Sequence, residues 1–229
     1  MSRLATSKNI WQARSIEVIL TTKTIKPFFM NSSVLNSIFK TCIEKYHLAN
    51  DVDQKIENPY LPGEYDNLLY EKCWVDTVQW HLEDIIRDPN IDPAAALLIK
   101  RRIDASNQVR TDMVEQIDDY LFGLYSNISP RENARINTET PAWAIDRLSI
   151  LNLKLFHMQQ EVERTDATEA HRAKCAEKLN ILNLQCEYLS LSIDQLVTDL
   201  ESGECIVKTY KQMKMYNDPE LNPVLRNAK

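Results

Sequence analysis

Residues 92–125 read DPAAALLIKRRIDASNQVRTDMVEQIDDYLFGLY. Asp92 can accept hydrogen bonds from the first free N–H groups of a helix, and Pro93 suits its first turn, where a missing N–H costs nothing. Neither glycine nor proline then interrupts the chain until Gly123. At 100° per residue Ile99, Ile103, Val109, Met113, Val114, Ile117 and Leu121 share one arc, so the stretch predicts one long amphipathic helix ending near Tyr125. Arg102, Ser106 and Arg110 fall inside that apolar arc. A guanidinium cannot shed its charge, so an arginine on a buried face must meet anions. Those anions are either carboxylates on neighbouring helices or the phosphate or carboxylate of a ligand. The opposite line carries Lys100, Asp104, Asn107, Thr111, Glu115 and Asp118, a pattern that suits a solvated face with i,i+4 pairs. Asn107 stands at the boundary of the two faces.

Working outward, the same period recurs. A first helix is predicted over residues 31–48, with Val34, Leu35, Ile38, Phe39 and Cys42 as its stripe. A loop marked by Pro59, Pro62 and Gly63 precedes a second helix over 64–87, stopped by Asp88-Pro89. Leu68, Val75, Val78, Leu82, Ile85 and Ile86 give that helix its apolar face. The fourth helix starts with Thr140-Pro141 and runs to about residue 164. The fifth takes Asp166 as its cap, with Glu169 three residues on, and ends at Gly203. A short sixth helix is predicted over 204–216. Residues 1–30 read as an irregular arm, in which 16–22 (IEVILTT) could make a strand but has no partner. The expectation is a single all-α helical-bundle domain of five or six helices over 31–229. The fourth helix, apolar almost all round, should be central.

Composition narrows the chemistry. The 229 residues contain three glycines, where average usage gives roughly sixteen. No dinucleotide fingerprint, phosphate loop or nucleophile elbow can be built from them. The net charge of −6 offers no footprint for nucleic acid. The five cysteines form no C-x-x-C, which argues against zinc ribbons and for reduced thiols. No apolar run is long enough to span a membrane. Lys8, Arg14, Glu17 and Lys23 break any signal-peptide core, so a cytoplasmic location is expected.

Other charged residues stand where a core should be. The fourth helix carries Asp146, Arg147, Lys154 and His157 among its apolar residues. Buried charges are costly unless paired or used, so these are candidate ligand groups, and Asp146 also suits as partner to a third-helix arginine. His81 and Asp84, at i,i+3, can ligate a metal or act as an acid–base pair, or His81 can simply hydrogen-bond Asp84. There is no H-E-x-x-H, and histidines 47, 81, 157 and 171 are isolated in sequence, so a metal site would have to be assembled across helices and no metal is assigned. Near the end of the chain, Lys208, Lys211 and Lys214 can face solvent. Alternatively Lys214, Tyr216, Asn217 and Asp218 fold back as one wall of a cleft.

Four stretches together resemble a known family: HLED at 81–84, KRRIDASNQVRTDMVEQID at 100–118, DRLSILNLKLFHM at 146–158 and KMYNDPELNP at 214–223. Over roughly residues 34–225 the chain resembles a bacterial domain of unknown function, the one numbered 4254. The resemblance implies an all-helical fold and a setting among genes for lipopolysaccharide or capsule glycosyltransferases. Lys100, Arg101, Asp104, Asn107 and Arg110 match motif positions of the family, and Arg102 does not. That favours Arg110 over Arg102 as an anion clamp.

Three functions follow as expectations. The first is a site for an anionic sugar derivative, a sugar phosphate or nucleotide-sugar, in envelope polysaccharide synthesis. Arg110, Arg147 and Lys154 would hold anionic oxygens, Asp104 and Asp146 would orient the cations, and His81 with Asp84 would move protons. The second is a non-catalytic helical partner of a glycosyltransferase. The third is a metal-dependent nucleotide pyrophosphohydrolase, with Glu115, Asp118 and Asp119 as its nearest carboxylates. No cofactor and no oligomeric state can be assigned from the sequence.

Overall fold

A computed structural model describes residues 30–206, 208–215 and 218–227. The predicted arm, apart from Met30, and the tail residues Tyr216 and Asn217 lie outside the described residues. The fold is all-α, as the periodicity predicts. Its long helices are α1 (Ser32–Tyr46), α2 (Tyr65–Ile85), α3 (Pro93–Tyr125), α4 (Pro141–Glu163) and α5 (Glu169–Glu201). A parallel pair of two-residue strands, β1 (Arg135–Ile136) and β2 (Cys205–Ile206), and a single turn, α6 (Pro223–Arg226), complete it. No described helix is long and apolar enough to cross a membrane.

Side-chain caps set the starts of the helices. Asn31 accepts from Val34 N at 2.9 Å, Asp92 from Ala95 N at 3.0 Å and Thr140 from Trp143 N at 3.4 Å. Each such cap is worth about 1 kcal/mol. The start of α5 differs from expectation. Thr168 is its cap, accepting from His171 N at 3.2 Å, while Asp166 accepts from Arg164 Nε. At the other end Gly203 has φ +74, and a Cβ there would stand 2.7 Å from Ser129 O. Only glycine fits both demands.

Helix α4 packs against α1, α2, α3 and α5, which makes it central. Leu35, Phe39, Leu69, Ile117, Ile145 and Leu148 form the middle of the core. Each contributes about 1.5–3 kcal/mol by leaving water. The phase of α2 differs from the predicted stripe. Lys72, Asp76 and Thr77 are buried, Val75 and Val78 only half-buried, and Ile85 exposed. Packed against α1, α3 and α4, this helix buries more than one face, and polar residues on those faces are paired. The supposedly solvated line of α3 is likewise partly covered. Thr111 and Asp118 are buried, and Asp118 Oδ2 accepts from Thr140 Oγ1 at 2.8 Å, while Val109 is exposed.

The predicted sixth helix at 204–216 does not form among the described residues of that range, 204–206 and 208–215. Cys205 and Ile206 pair with the loop that precedes α4, and residues 208–215 run irregularly along α3. Glu115 accepts from Gln212 N at 3.1 Å and pairs with Lys211 at 3.4 Å, and Lys214 Nζ donates to Asn107 O at 2.7 Å. Met213 has φ +47, which no α-helix tolerates.

Candidate functional site

The structure gathers Lys72, Asp76, Arg110 and Asp146 into one charged network between α2, α3 and α4. Lys72 Nζ lies 2.5 Å from Asp76 Oδ2 and 2.6 Å from Asp146 Oδ1. Arg110 Nε lies 2.6 Å from Asp76 Oδ1, and Nη2 lies 3.0 Å from Asp146 Oδ1. Ser149 Oγ donates to Asp76 Oδ2 at 2.6 Å. Two cations thus meet two carboxylates, and the Lys72 side chain has 0 % exposure. Burial opposes the charge of Asp146, but Lys72 and Arg110 more than offset it and hold its carboxyl below the usual range. Burial likewise opposes the charge of Arg110, and Asp76 and Asp146 hold its pKa above the ordinary value.

Arg110 and Asp146 are therefore the arginine–carboxylate pair that the sequence suggested. Lys72, Asp76 and Ser149 were missed. Lys72 and Asp76, four apart on one helix, read in sequence as an ordinary surface pair. Only the packing of α2 shows that the pair is internal.

Arg110 also lines a cleft of about 290 Å³ with Asp76, Gln79, Trp80, Glu83, Asp84, Arg87 and Ile150. Gln79 links the cleft wall to α3: its Nε2 donates to Asn107 Oδ1 at 2.8 Å, and its Oε1 accepts from Ser106 at 3.0 Å. Of the residues singled out in sequence, Arg110 and Asp84 reach this cleft, and Asn107 adjoins it. Asp84 is exposed there and His81 turns away from it, to lie 3.2 Å from His47, Nε2 to Nε2.

The remaining candidates lie elsewhere. Lys100 and Asp104 pair with each other at the surface. Arg101 borders a separate shallow hollow with Leu98 and Ile99. Arg102 is held by Asp53 at 2.8 Å. Arg147 and Lys154 are exposed, not buried as the apolar surroundings in sequence suggested; they face a groove shared with Gln185, and Arg147 pairs with Glu139 at 3.4 Å. Lys214 does fold back, but onto the backbone of α3 at Asn107. Asp218 closes a turn by accepting from Glu220 N at 2.8 Å. Glu115 and Asp119 both pair with Lys211, and Asp118 accepts from Thr140 Oγ1 instead, so the three carboxylates do not share one partner.

A helical bundle with a buried ion network beside a polar cleft is the class of protein that fold and site define. The chain belongs to the family described as protein of unknown function (DUF4254), whose model matches residues 66–209. That range holds the quartet and the cleft; the tail motif at 214–223 falls outside it. No curated protein and no solved structure matches the chain.

Proposed function

We propose that the chain binds a small anionic sugar derivative, a sugar phosphate or nucleotide-sugar, in the cleft beside Arg110. The setting proposed is envelope polysaccharide synthesis in the cytoplasm. One observation carries the reading. Arg110 is held rigidly through Nε and Nη2, yet 23 % of its side chain is exposed and it forms part of the cleft wall. Its Nη1 group is left for an anionic oxygen, and a guanidinium already fixed by two carboxylates gives up little entropy on binding. Arg87, paired with Glu83 at 2.9 Å, adds a second cation to the cleft wall, and Asp84 offers an acceptor for hydroxyl groups. Asp84 is the proton-transfer candidate within reach of such a ligand.

Thermal shift against nucleotide-sugars and sugar phosphates tests this. A ligand at about 100 times its dissociation constant adds about 2.7 kcal/mol, a shift of several degrees. The shift should vanish in Arg87→Ala and Asp84→Asn, whose side chains are not part of the buried network. A flat panel would overturn the reading.

A second reading, a helical partner of a glycosyltransferase, draws on α5. Ile181, Leu184, Tyr188 and Leu191 are all exposed and follow the three–four spacing of a helix-pairing seam. The opposite side of α5, through Cys175, Ile193, Val197 and Leu200, is the one that packs into the bundle.

A further inference from the structure

Histidines at positions 47, 81 and 157 are scattered in sequence but adjacent in space. One ligand atom from each lies within 4.8 Å of the other two, and all three side chains are half-buried. They come from the C-cap of α1, the last turns of α2 and the second half of α4. Their ring centroids are 5.1–5.4 Å apart.

We propose that His47, His81 and His157 bind a divalent late first-row transition metal, with zinc the ion best matched. None of the three rings lines the Arg110 cleft, although Trp80 and Asp84 border both places, and metal binding is read independently of a sugar ligand.

The geometry supports this at each ring. His47 Nδ1 lies 2.7 Å from the carbonyl of Ile43, which accepts a hydrogen bond from Nδ1–H and so leaves a lone pair on Nε2. A backbone carbonyl that fixes the tautomer in this way is the usual outer-shell partner of a ligating histidine. The Nε2 atoms of His47 and His81 are 3.2 Å apart. Two nitrogens bound to one tetrahedral zinc at the usual Zn–N length stand about 3.3 Å apart. A hydrogen bond between two neutral rings would give the same spacing, so the third ring decides. His157 Nε2 is buried and has no hydrogen-bond partner. A polar atom in that state is costly, and a shared cation would satisfy it.

The surroundings hold the rings still. Tyr46 stacks on His81 with centroids 5.2 Å apart, Trp80 on His157 at 5.0 Å, and Phe156 packs on His47 at 4.2 Å. Burial holds all three imidazoles below their ordinary pKa, and that of His157 is brought down to about 4. Asp84 is the carboxylate that acts on both His81 and His157, and it supplies nearby negative charge. Three imidazoles leave the fourth tetrahedral position for water or an exogenous ligand.

The experiment uses the full chain stripped with a chelator and titrated with Co²⁺, whose ligand-field absorption reports tetrahedral nitrogen coordination. One Co²⁺ per chain is expected, displaced by Zn²⁺. His81→Ala and His157→Ala should each weaken Zn²⁺ binding by more than roughly 100-fold, beyond the usual effect of losing an outer-shell partner. His171→Ala should leave it unchanged, since His171 belongs to a separate group with Glu161 and Cys175. X-ray absorption on the Zn²⁺-loaded wild type, which needs no variant to fold, should find nitrogen ligands at about 2.0–2.1 Å. Absence of a Co²⁺ spectrum, thiolate coordination, or binding that survives both substitutions would overturn the proposal.

Discussion

Lys72 Nζ, on a side chain with no exposure, lies 2.6 Å from Asp146 Oδ1, joining α2 to α4 across 74 residues of sequence. Breaking a buried pair by removing one partner strands the other charge. Lys72→Ala leaves Arg110 as the one cation facing Asp76 and Asp146 in this network, and a loss of about 3–5 kcal/mol is expected in denaturant unfolding. Arg110 is partly exposed, so Arg110→Ala should cost less. Equal losses for the two variants would show that burial does not govern the network.

Asp146 also gives the fold an acid limit. Its folded pKa is lowered, so its contribution is complete above the ordinary carboxylate range and fades as pH falls through the folded value. The wild type should lose thermal stability below about pH 4. Asp146→Asn should be less stable at pH 7 and should show a flatter decline in acid.

Asp118 works in the opposite sense. Burial, against the hydrogen bond from Thr140, pushes its carboxyl up to about 6. Between about pH 4 and pH 6 the folded chain holds a proton that the unfolded chain has released, so stability falls as pH rises through that window. Asp118→Asn removes this component. Relative to wild type, the variant should gain about 1 kcal/mol on going from pH 4 to pH 7, after allowing for solvent screening. An unchanged difference at the two pH values would place the Asp118 titration elsewhere.

Gly203→Ala should destabilise by more than about 1 kcal/mol, because the new methyl meets Ser129 O and the residue keeps a positive φ. Gly63 also has a positive φ, yet has open space around it. Gly63→Ala should therefore cost less, and paired melting curves would measure the gap.

The exposed seam of α5 bears on the partner reading. Leu184→Glu and Tyr188→Glu change side chains that lie in solvent, so the melting temperature should stay within the small range typical of surface substitutions. If α5 docks a glycosyltransferase, co-purification from the native cell extract should drop in both variants. Full retention in both would exclude this face as the contact.

The starts of α1, α3 and α4 were legible in sequence because caps act within three residues. Asn31, Asp92 and Thr140 each satisfy an N–H that the chain itself places beside them. Arg110 was legible too, as a permanent charge on an apolar arc that had to find anions. The predicted sixth helix failed for a tertiary reason: α3 offers Glu115 and the carbonyl of Asn107 to a segment that local propensity would coil.

What the sequence determined by itself was therefore the class of fold, the long helices and one arginine that needed partners. These rest on interactions of short range, repeated every three to four residues. What only the tertiary structure decided was which charges are internal and which histidines meet. Lys72 and Asp76 look like a surface pair until three helices close over them, and His47, His81 and His157 share no spacing. Burial and convergence depend on how helices pack, and helix packing is set by the summed contacts of whole faces, which no local pattern encodes.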